Sequence, residues 1–261
     1  MFSRFTVLVL GIVLAFGVGQ VMATPMSDNF NTDTSANWSI VSGAGSFTIN
    51  SGGNGKLAVT SSVGVGSPVV FHNTARLDVG EALCVDMQAV RPREETGVWC
   101  EELQAFYSAD GTDRGIRFMR DGKPYQPIEF YPDSWEYPIK CGKMDPGWSW
   151  DAGVGLDDPD YTQPVTMWVD RTDVDTYQYH VGPIGSRVFW YETTLGGTPP
   201  TGGLYVGVVM GPTNNDAAYT GYFDNFAIMS IDAANVPEPG TLVLLACGLL
   251  GLLAYAWRKR K

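Results

Sequence analysis

Basic residues are scarce over most of this chain. Lys and Arg number 17 in 261 residues, against 28 Asp and Glu. Five of the basic residues (Arg4, Arg258, Lys259, Arg260, Lys261) and one acidic residue (Glu238) lie in the terminal segments. That leaves residues 24–235 with 12 basic against 27 acidic groups, a net charge of −15. Nucleic acid and anionic lipid surfaces both need a basic footprint, so this balance argues against them as partners. Cations and neutral ligands such as glycans remain. Histidine is scarcer still, with only His72 and His180. Neither accompanies a Gly-x-Ser-x-Gly, and no Gly-rich phosphate loop occurs, so hydrolase-type nucleophiles and nucleotide sites lack their marks. His180, beside Tyr177 and Tyr179, reads as a hydrogen-bonded structural histidine. A lyase pairing His with Tyr is the alternative, and nothing favours it.

Cysteine is also sparse: Cys84, Cys100, Cys141 and Cys247, without a C-x-x-C spacing that would suit zinc. Cys247 sits in an apolar tail. The other three allow at most one internal disulfide. Cys100 and Cys141 both border loop-like stretches and are the expected pair.

Both ends are apolar. Arg4, the run from Phe5 to Val18 and the small-residue site Val21-Met22-Ala23 form the three parts of a secretory signal peptide, residues 1–23, cut after Ala23. At the other end, Thr241 to Trp257 gives 17 residues without a charge. As a helix it would span roughly 25 Å, the short end for crossing a bilayer. Trp257 suits the interface, and Arg258, Lys259, Arg260 and Lys261 would stay cytoplasmic. The body would then lie outside.

Just before this run stands Val236-Pro237-Glu238-Pro239-Gly240. The motif Pro237, Glu238, Pro239, then a hydrophobic helix and a basic cluster, resembles a PEP-CTERM sorting signal over about the last 25 residues. The resemblance implies a Gram-negative bacterium with an exosortase-type membrane peptidase. That enzyme would recognise the motif, cut near it and pass the body to the cell surface or an exopolysaccharide matrix. The tail would then be an address and a temporary anchor.

Between the ends no long helical period occurs. Ala82 to Val90 alternates, with Leu83, Val85, Met87 and Ala89 on one face, as does Lys56 to Ser61. Val165 to Arg171 and Thr176 to Val181 flank an Asp-containing turn and read as a hairpin. Leu204 to Met210 is apolar on both faces and reads as a central strand, and Tyr222 to Ile231 is the last strand. This pattern predicts a single all-β antiparallel sandwich over residues 24–235. Asp28-Asn29-Phe30 opens it, with Trp38 soon after and a Gly-Lys-Leu-Ala-Val strand following. Gly-Tyr-Phe-Asp-Asn-Phe, ending at Phe226, closes it. In that order the elements resemble concanavalin A-like lectin/glucanase sandwiches, a jelly roll whose first and last strands lie close together. The likeness concerns strand order and composition, and the fold hosts lectins, hydrolases, lyases and inert spacers alike.

Jelly-roll glucanases carry Glu-x-Asp-x-(x)-Glu on one strand, which aims paired carboxylates into one cleft. This chain has no such motif. Glu94-Glu95 and Glu101-Glu102 are adjacent pairs whose members point to opposite strand faces, and they read as solvated acidic loop. No catalytic residue is assigned. Three acidic groups are candidates for Ca²⁺, which takes six to eight oxygens. They are Asp157, Asp158 and Asp160; Asp170, Asp173 and Asp175; and the terminal pair Asp28 and Asp224, favoured because related sandwiches hold a structural calcium near the chain ends. The hairpin set also reads as turn chemistry. Aromatics are the best sign of a ligand, because sugar rings stack on Trp and Tyr. Trp135, Trp148 and Trp150, in a Pro/Gly-rich stretch, are the candidate glycan platform. Their alternative role is to close the core under a long loop. Arg117 points opposite to Arg114 and Arg120, so those arginines read as a solvated strand. A non-enzymatic surface or matrix protein associating with exopolysaccharide is the leading expectation. A polysaccharide hydrolase or lyase comes second and a spacer without ligand third.

Overall fold

The computed structural model describes residues 26–62, 67–88, 100–121, 139–144, 148–154, 164–211, 218–235, 248–250, 252, 255 and 257. For 100–101, 121, 139–140 and 148–154 the description is of backbone. The expected signal peptide (1–23), the motif Pro237-Glu238-Pro239, the basic tail, Trp135, Glu94-Glu95 and Asp157 to Asp160 lie outside the described residues.

Two antiparallel sheets pack face to face. Sheet A runs β13 (Val188–Thr194), β12 (Thr176–Val181), β11 (Val165–Arg171), β6 (Glu81–Gln88), β15 (Thr220–Ser230), β4 (Leu57–Ser61), β3 (Gly45–Ile49). Its eighth strand, β1 (Met26–Asp28), pairs with β15. Sheet B runs β10 (Trp148–Val154), β9 (Ile139–Met144), β8 (Gly115–Asp121), β7 (Cys100–Phe106), β14 (Leu204–Met210), β5 (Val69–Leu77), β2 (Trp38–Ser42). A short helix, α1 (Ile231–Asn235), follows β15. The first and last strands therefore pair, as the resemblance implied. The tail residues 248–250, 252, 255 and 257 are helical. Among the described residues no helix is long and apolar enough to cross a membrane.

Alternation places the core. In β6, Leu83, Val85 and Met87 are fully buried between the sheets, while Ala82, Cys84, Asp86 and Gln88 point away. The hairpin of β11 and β12 matches its predicted bounds to the residue. Its mouth is closed by Arg171, which donates to Leu77 O (2.9 Å) and Val174 O (3.0 Å). β14 is interior and buried on both faces, as predicted. Gly207 makes this possible: a Cβ there would stand 2.6 Å from the Phe71 ring. The last strand departs from strict alternation. Phe223 and Phe226 are three residues apart, yet both are fully buried. A bulge between Asp224 and Ala227, with Asn225 at φ 50°, absorbs the extra residue.

Three expectations need correction. Arg120 is no solvated residue: it is 2% exposed, and its guanidinium donates across the sandwich to Met87 O (2.5 Å). Glu102 lies in β7 and is 4% exposed, so it is not part of a solvated loop. Cys100 and Cys141 do not sit as neighbours. β8 runs between their strands, with Asp121 opposite Cys100 and Phe118 opposite Cys141. Two strand spacings alone separate them by roughly 10 Å, beyond the ~7 Å that a disulfide spans between Cα atoms.

Candidate functional site

The register of sheet B aligns distant segments into rows. One row reads Trp150, Gly142, Arg117, Gln104, Gly207, Phe71. The next reads Trp148, Met144, Gly115, Phe106, Tyr205, Arg76. Directly opposed residues of antiparallel strands share a face. Gln104 and Phe106 alternate with the core residues Leu103 and Ala105, so both rows belong to the face turned away from the core. The backbone positions of Trp148 and Trp150 therefore fall in the same rows as a set of described aromatic and polar groups.

Those groups form two patches. Phe71 and Phe106 lie 5.7 Å apart beneath the β7–β8 loop, where the Cβ direction of Gly111 points 3.5 Å from the Phe71 ring. Arg76 stacks 4.0 Å over Tyr205. Beside them, the Gln104 side-chain amide donates to Glu102, and the Arg117 guanidinium lies 4.0 Å from the other Glu102 oxygen. Glu102 and Gln104 are each 4% exposed. The Arg117 side chain, at 12%, is where the cluster comes nearest to solvent. Gln104 Oε1 is buried and has no hydrogen-bond partner among the described residues. The cluster escaped the sequence reading because it joins residues in two strands. Its available signal was Glu102-x-Gln104, two polar residues on one face of an otherwise apolar strand.

A second polar strip crosses the outer face of sheet A. Asp224 stands directly opposite Asp86. Asp86 accepts from Thr166 (2.5 Å) and from the Asn225 side chain (2.8 Å). Lys56 donates to Gln88 at 2.6 Å. Burial first, then the neighbouring Asp86 charge, pushes the Asp224 carboxyl above the usual carboxylate range, against the backbone N–H of Asn225 and Lys56.

The terminal pair Asp28 and Asp224 does not make one calcium site. Asp28 faces the core, in register with Phe226, and is 7% exposed. Its carboxylate accepts from Phe30 N (3.0 Å), Thr34 Oγ1 (2.6 Å) and Trp38 Nε1 (3.0 Å). Asp224 faces the other side, because the bulge intervenes. The two Asp-Asn-Phe segments do converge, through their phenylalanines: Phe30 and Phe226 pack on Trp38 at 5.7 and 4.9 Å. A cavity of ≈ 350 Å³ lies beside them, lined by Asp28, Asn29, Thr34, Asn37 and His72 among others. His72 Nδ1 accepts from Ala75 N (2.9 Å), and burial lowers its pKa, so the ring is neutral with its proton on Nε2.

The hairpin acids are also otherwise engaged. Asp170 is 1% exposed and binds Arg187 through both oxygens, one at 2.7 Å. Asp173 accepts from Val174 N at 2.7 Å, as turn chemistry requires. His180 is not the satisfied histidine expected. Its buried Nδ1 has no hydrogen-bond partner among the described residues and stands 3.6 Å from Asp170. Burial and then the Arg187 charge hold its pKa down to about 4, so it is neutral near pH 7 and forms no ion pair. Among the described residues no group of three or more His, Cys, Asp or Glu is placed to hold a metal.

No curated protein matches the chain by sequence. Among solved structures, a Bacillus licheniformis beta-glucanase superposes with TM-score 0.52 at 12% identity, covering 81% of this chain and 100% of that one. Lectin II from Ulex europaeus gives 0.51 at 11%, covering 80% and 99%. A point mutant of the GH43 protein BlXynB from Bacillus licheniformis gives 0.52 at 13%, covering 78% and 39%. At such identities the likeness concerns the fold alone. Residues 235–261 match the PEP-CTERM protein-sorting motif, which implies export and membrane-associated sorting in Gram-negative bacteria. The chain thus folds as a two-sheet antiparallel sandwich similar to those of this glucanase and this lectin, and its residues 235–261 carry a PEP-CTERM sorting motif.

Proposed function

We propose that this is an exported, non-enzymatic protein of the cell surface or exopolysaccharide matrix, processed by an exosortase-type peptidase, whose sheet B holds a glycan. The observation that carries the glycan reading is the Glu102–Gln104–Arg117 cluster with its open Gln104 acceptor. A carbonyl oxygen without a donor is costly, and a sugar hydroxyl entering beside Arg117, where the cluster comes nearest to solvent, would supply one. The cluster offers one carboxylate, bonded to an amide. Bond cleavage between sugars commonly takes two. The rows that contain Trp148 and Trp150 supply the aromatic positions on which sugar faces stack.

A second reading rests on sheet A. Asp86 and Asp224 stand opposite each other, and the raised Asp224 pKa would suit a general acid beside a second carboxyl group. That arrangement supports a polysaccharide hydrolase.

The deciding experiment incubates residues 24–235, with and without Ca²⁺, with a panel of polysaccharides and follows both retention and chain shortening. The binding reading expects retention without shortening, and Gln104→Ala to weaken it about five- to ten-fold. Shortening that disappears in Asp224→Asn would replace it with the hydrolase. Neither effect on a broad panel would leave a structural spacer. A calcium requirement for retention would revive a metal site, which the described residues do not assemble.

A further inference from the structure

His72 is packed on the core side of sheet B, yet one of its nitrogens is left without a partner. It stands directly opposite Trp38, a core residue, while its neighbour Phe71 points to the outer face. Its Nδ1 accepts from Ala75 N (2.9 Å) and Thr74 N (3.3 Å). Phe226 lies parallel to the ring at 6.4 Å, and Trp38 stands perpendicular to it at 5.1 Å. The ring is therefore fixed, and its tautomer with it: Nδ1 is the acceptor, so Nε2 bears the proton. That N–H has no acceptor among the described residues, although His72 is only 7% exposed. A core histidine with a purely structural role satisfies both nitrogens. This one has a donor left for the cavity of ≈ 350 Å³ that it lines.

The cavity lies at the seam of the two sheets. β1 and the segment after it supply one wall, and His72, from β5, supplies the other. Asp28 is held in place by Phe30 N, Thr34 Oγ1 and Trp38 Nε1. A carboxylate offers about four lone-pair sites, so one stays open, near enough to His72 for the Asp28 charge to act on the ring. At the rim, Ser27, Thr32 and Asn37 are exposed, and their side chains make no hydrogen bond among the described residues. Met26 adds an apolar surface. The volume falls within the ~300–1,000 Å³ of pockets that take small molecules. The lining also decides the kind of ligand. Neither Lys nor Arg lines the cavity, so a phosphate or a uronate would meet Asp28 without a cation to offset it. Ca²⁺ takes six to eight oxygens, and the one carboxylate here is already shared by three donors. Neighbouring hydroxyls fit: one accepts from His72 Nε2–H, another donates to Asp28, and others reach the rim.

We propose that this seam cavity is a second ligand site, selective for neutral sugar hydroxyls, with His72 Nε2–H as its fixed donor and the Asp28 carboxylate as its acceptor. It is separate from the Glu102–Gln104–Arg117 cluster, because His72 and Phe71 point to opposite faces of sheet B. It stands whether or not sheet B holds a glycan. A free monosaccharide and the terminal unit of a glycan chain offer the same hydroxyls.

The chain has only two histidines, which makes the test local. The full-length protein, with ¹⁵N-labelled histidine, is titrated with glucose, galactose, mannose, their short neutral oligosaccharides and glucuronate. NMR follows the imidazole signals of His72 and His180, and calorimetry gives the affinity. The proposal expects a neutral sugar to shift the His72 signals saturably and leave those of His180 in place, with glucuronate about ten-fold weaker. His72→Asn keeps an acceptor near the Nδ1 position and lacks the Nε2–H, so it should weaken binding about five- to ten-fold. Asn37→Ala, at an exposed position, should weaken binding about two- to three-fold at an unchanged urea midpoint, and it decides the matter if His72→Asn fails to fold. Monosaccharides that bind as tightly as oligosaccharides identify the free sugar as ligand. Tighter oligosaccharide binding with the same His72 shift identifies a chain end. The proposal is overturned if no neutral sugar shifts His72, if glucuronate binds equally well, or if the folded variants bind at native strength. A sugar that binds with both imidazoles unmoved also overturns it, and leaves the sheet B reading intact. A His72 shift without retention on polysaccharides has the reverse meaning.

Discussion

Replacing Asp28 with alanine removes one acceptor from three donors at once. The Trp38 indole and Phe30 N–H would be left buried beside a void, each costing about 1–3 kcal/mol. A net loss of about 3 kcal/mol is expected, read as a lower urea midpoint at constant slope. The Asp-Asn-Phe segments were visible in the sequence as a repeat, but their meaning was not. A motif with two acids near the chain ends suggests ligands. The fold instead uses one acid as a hydrogen-bond hub and turns the other to the far face. The sign of that turn was present: Phe223 and Phe226 cannot share a face of a regular strand, so a bulge between them was required. The Glu102–Arg117 pairing had no such sign. Its register is set by the intervening loop and by the fit of the whole sheet, neither of which a local pattern encodes.

At the scale of elements, the β11–β12 hairpin was the most legible part, because alternation and an Asp-bearing turn agree over its whole length. The tie that holds α1 was the least, since Asp170 in β11, Arg187 in the loop before β13 and Asn235 at the end of α1 are separated along the chain. Two outcomes follow from its burial. Arg187→Ala strands the Asp170 carboxylate and should cost about 3–5 kcal/mol in chemical denaturation. The larger part of the acid-side pH response should come from His180, which faces Asp170, Arg187 and Phe189, with His72, whose pKa burial also lowers, adding to it in the same direction. Its folded pKa is depressed to about 4 from an unfolded value of 6.5, so folding favours the neutral ring. That contribution is complete above pH 6.5 and is lost progressively as pH falls towards 4. Native protein should lose on the order of 1 kcal/mol between about pH 7 and pH 5, and His180→Gln should flatten the slope. An equal slope in both would place the titrating group elsewhere.

For the whole molecule, the excess of negative charge is the dominant long-range term. Residues 24–235 carry a net −15, and like charges crowd together on folding. Raising ionic strength from about 0.01 M to 0.15 M shortens the screening length from about 30 to 8 Å, so the melting temperature should rise by about 2–4 °C with sodium chloride. A flat response would mean that the charges are already spread widely enough to ignore one another.

The pairing of β1 with β15 has a mechanical consequence. Met26, at the entry of the sandwich, stands opposite Ile228, three residues before α1. Met26 and Ile228 therefore sit side by side, and α1 carries the chain from there across the outer face of sheet A to Arg187. A load applied between them would open the β1–β15 ladder like a zipper, one rung at a time, rather than shearing all its rungs together. Only three residue pairs form that ladder, so little backbone pairing resists its opening once tension reaches Ile228. Tension carried between its C-terminal end and a ligand on sheet B would bypass the zipper and fall on the wide sheets themselves.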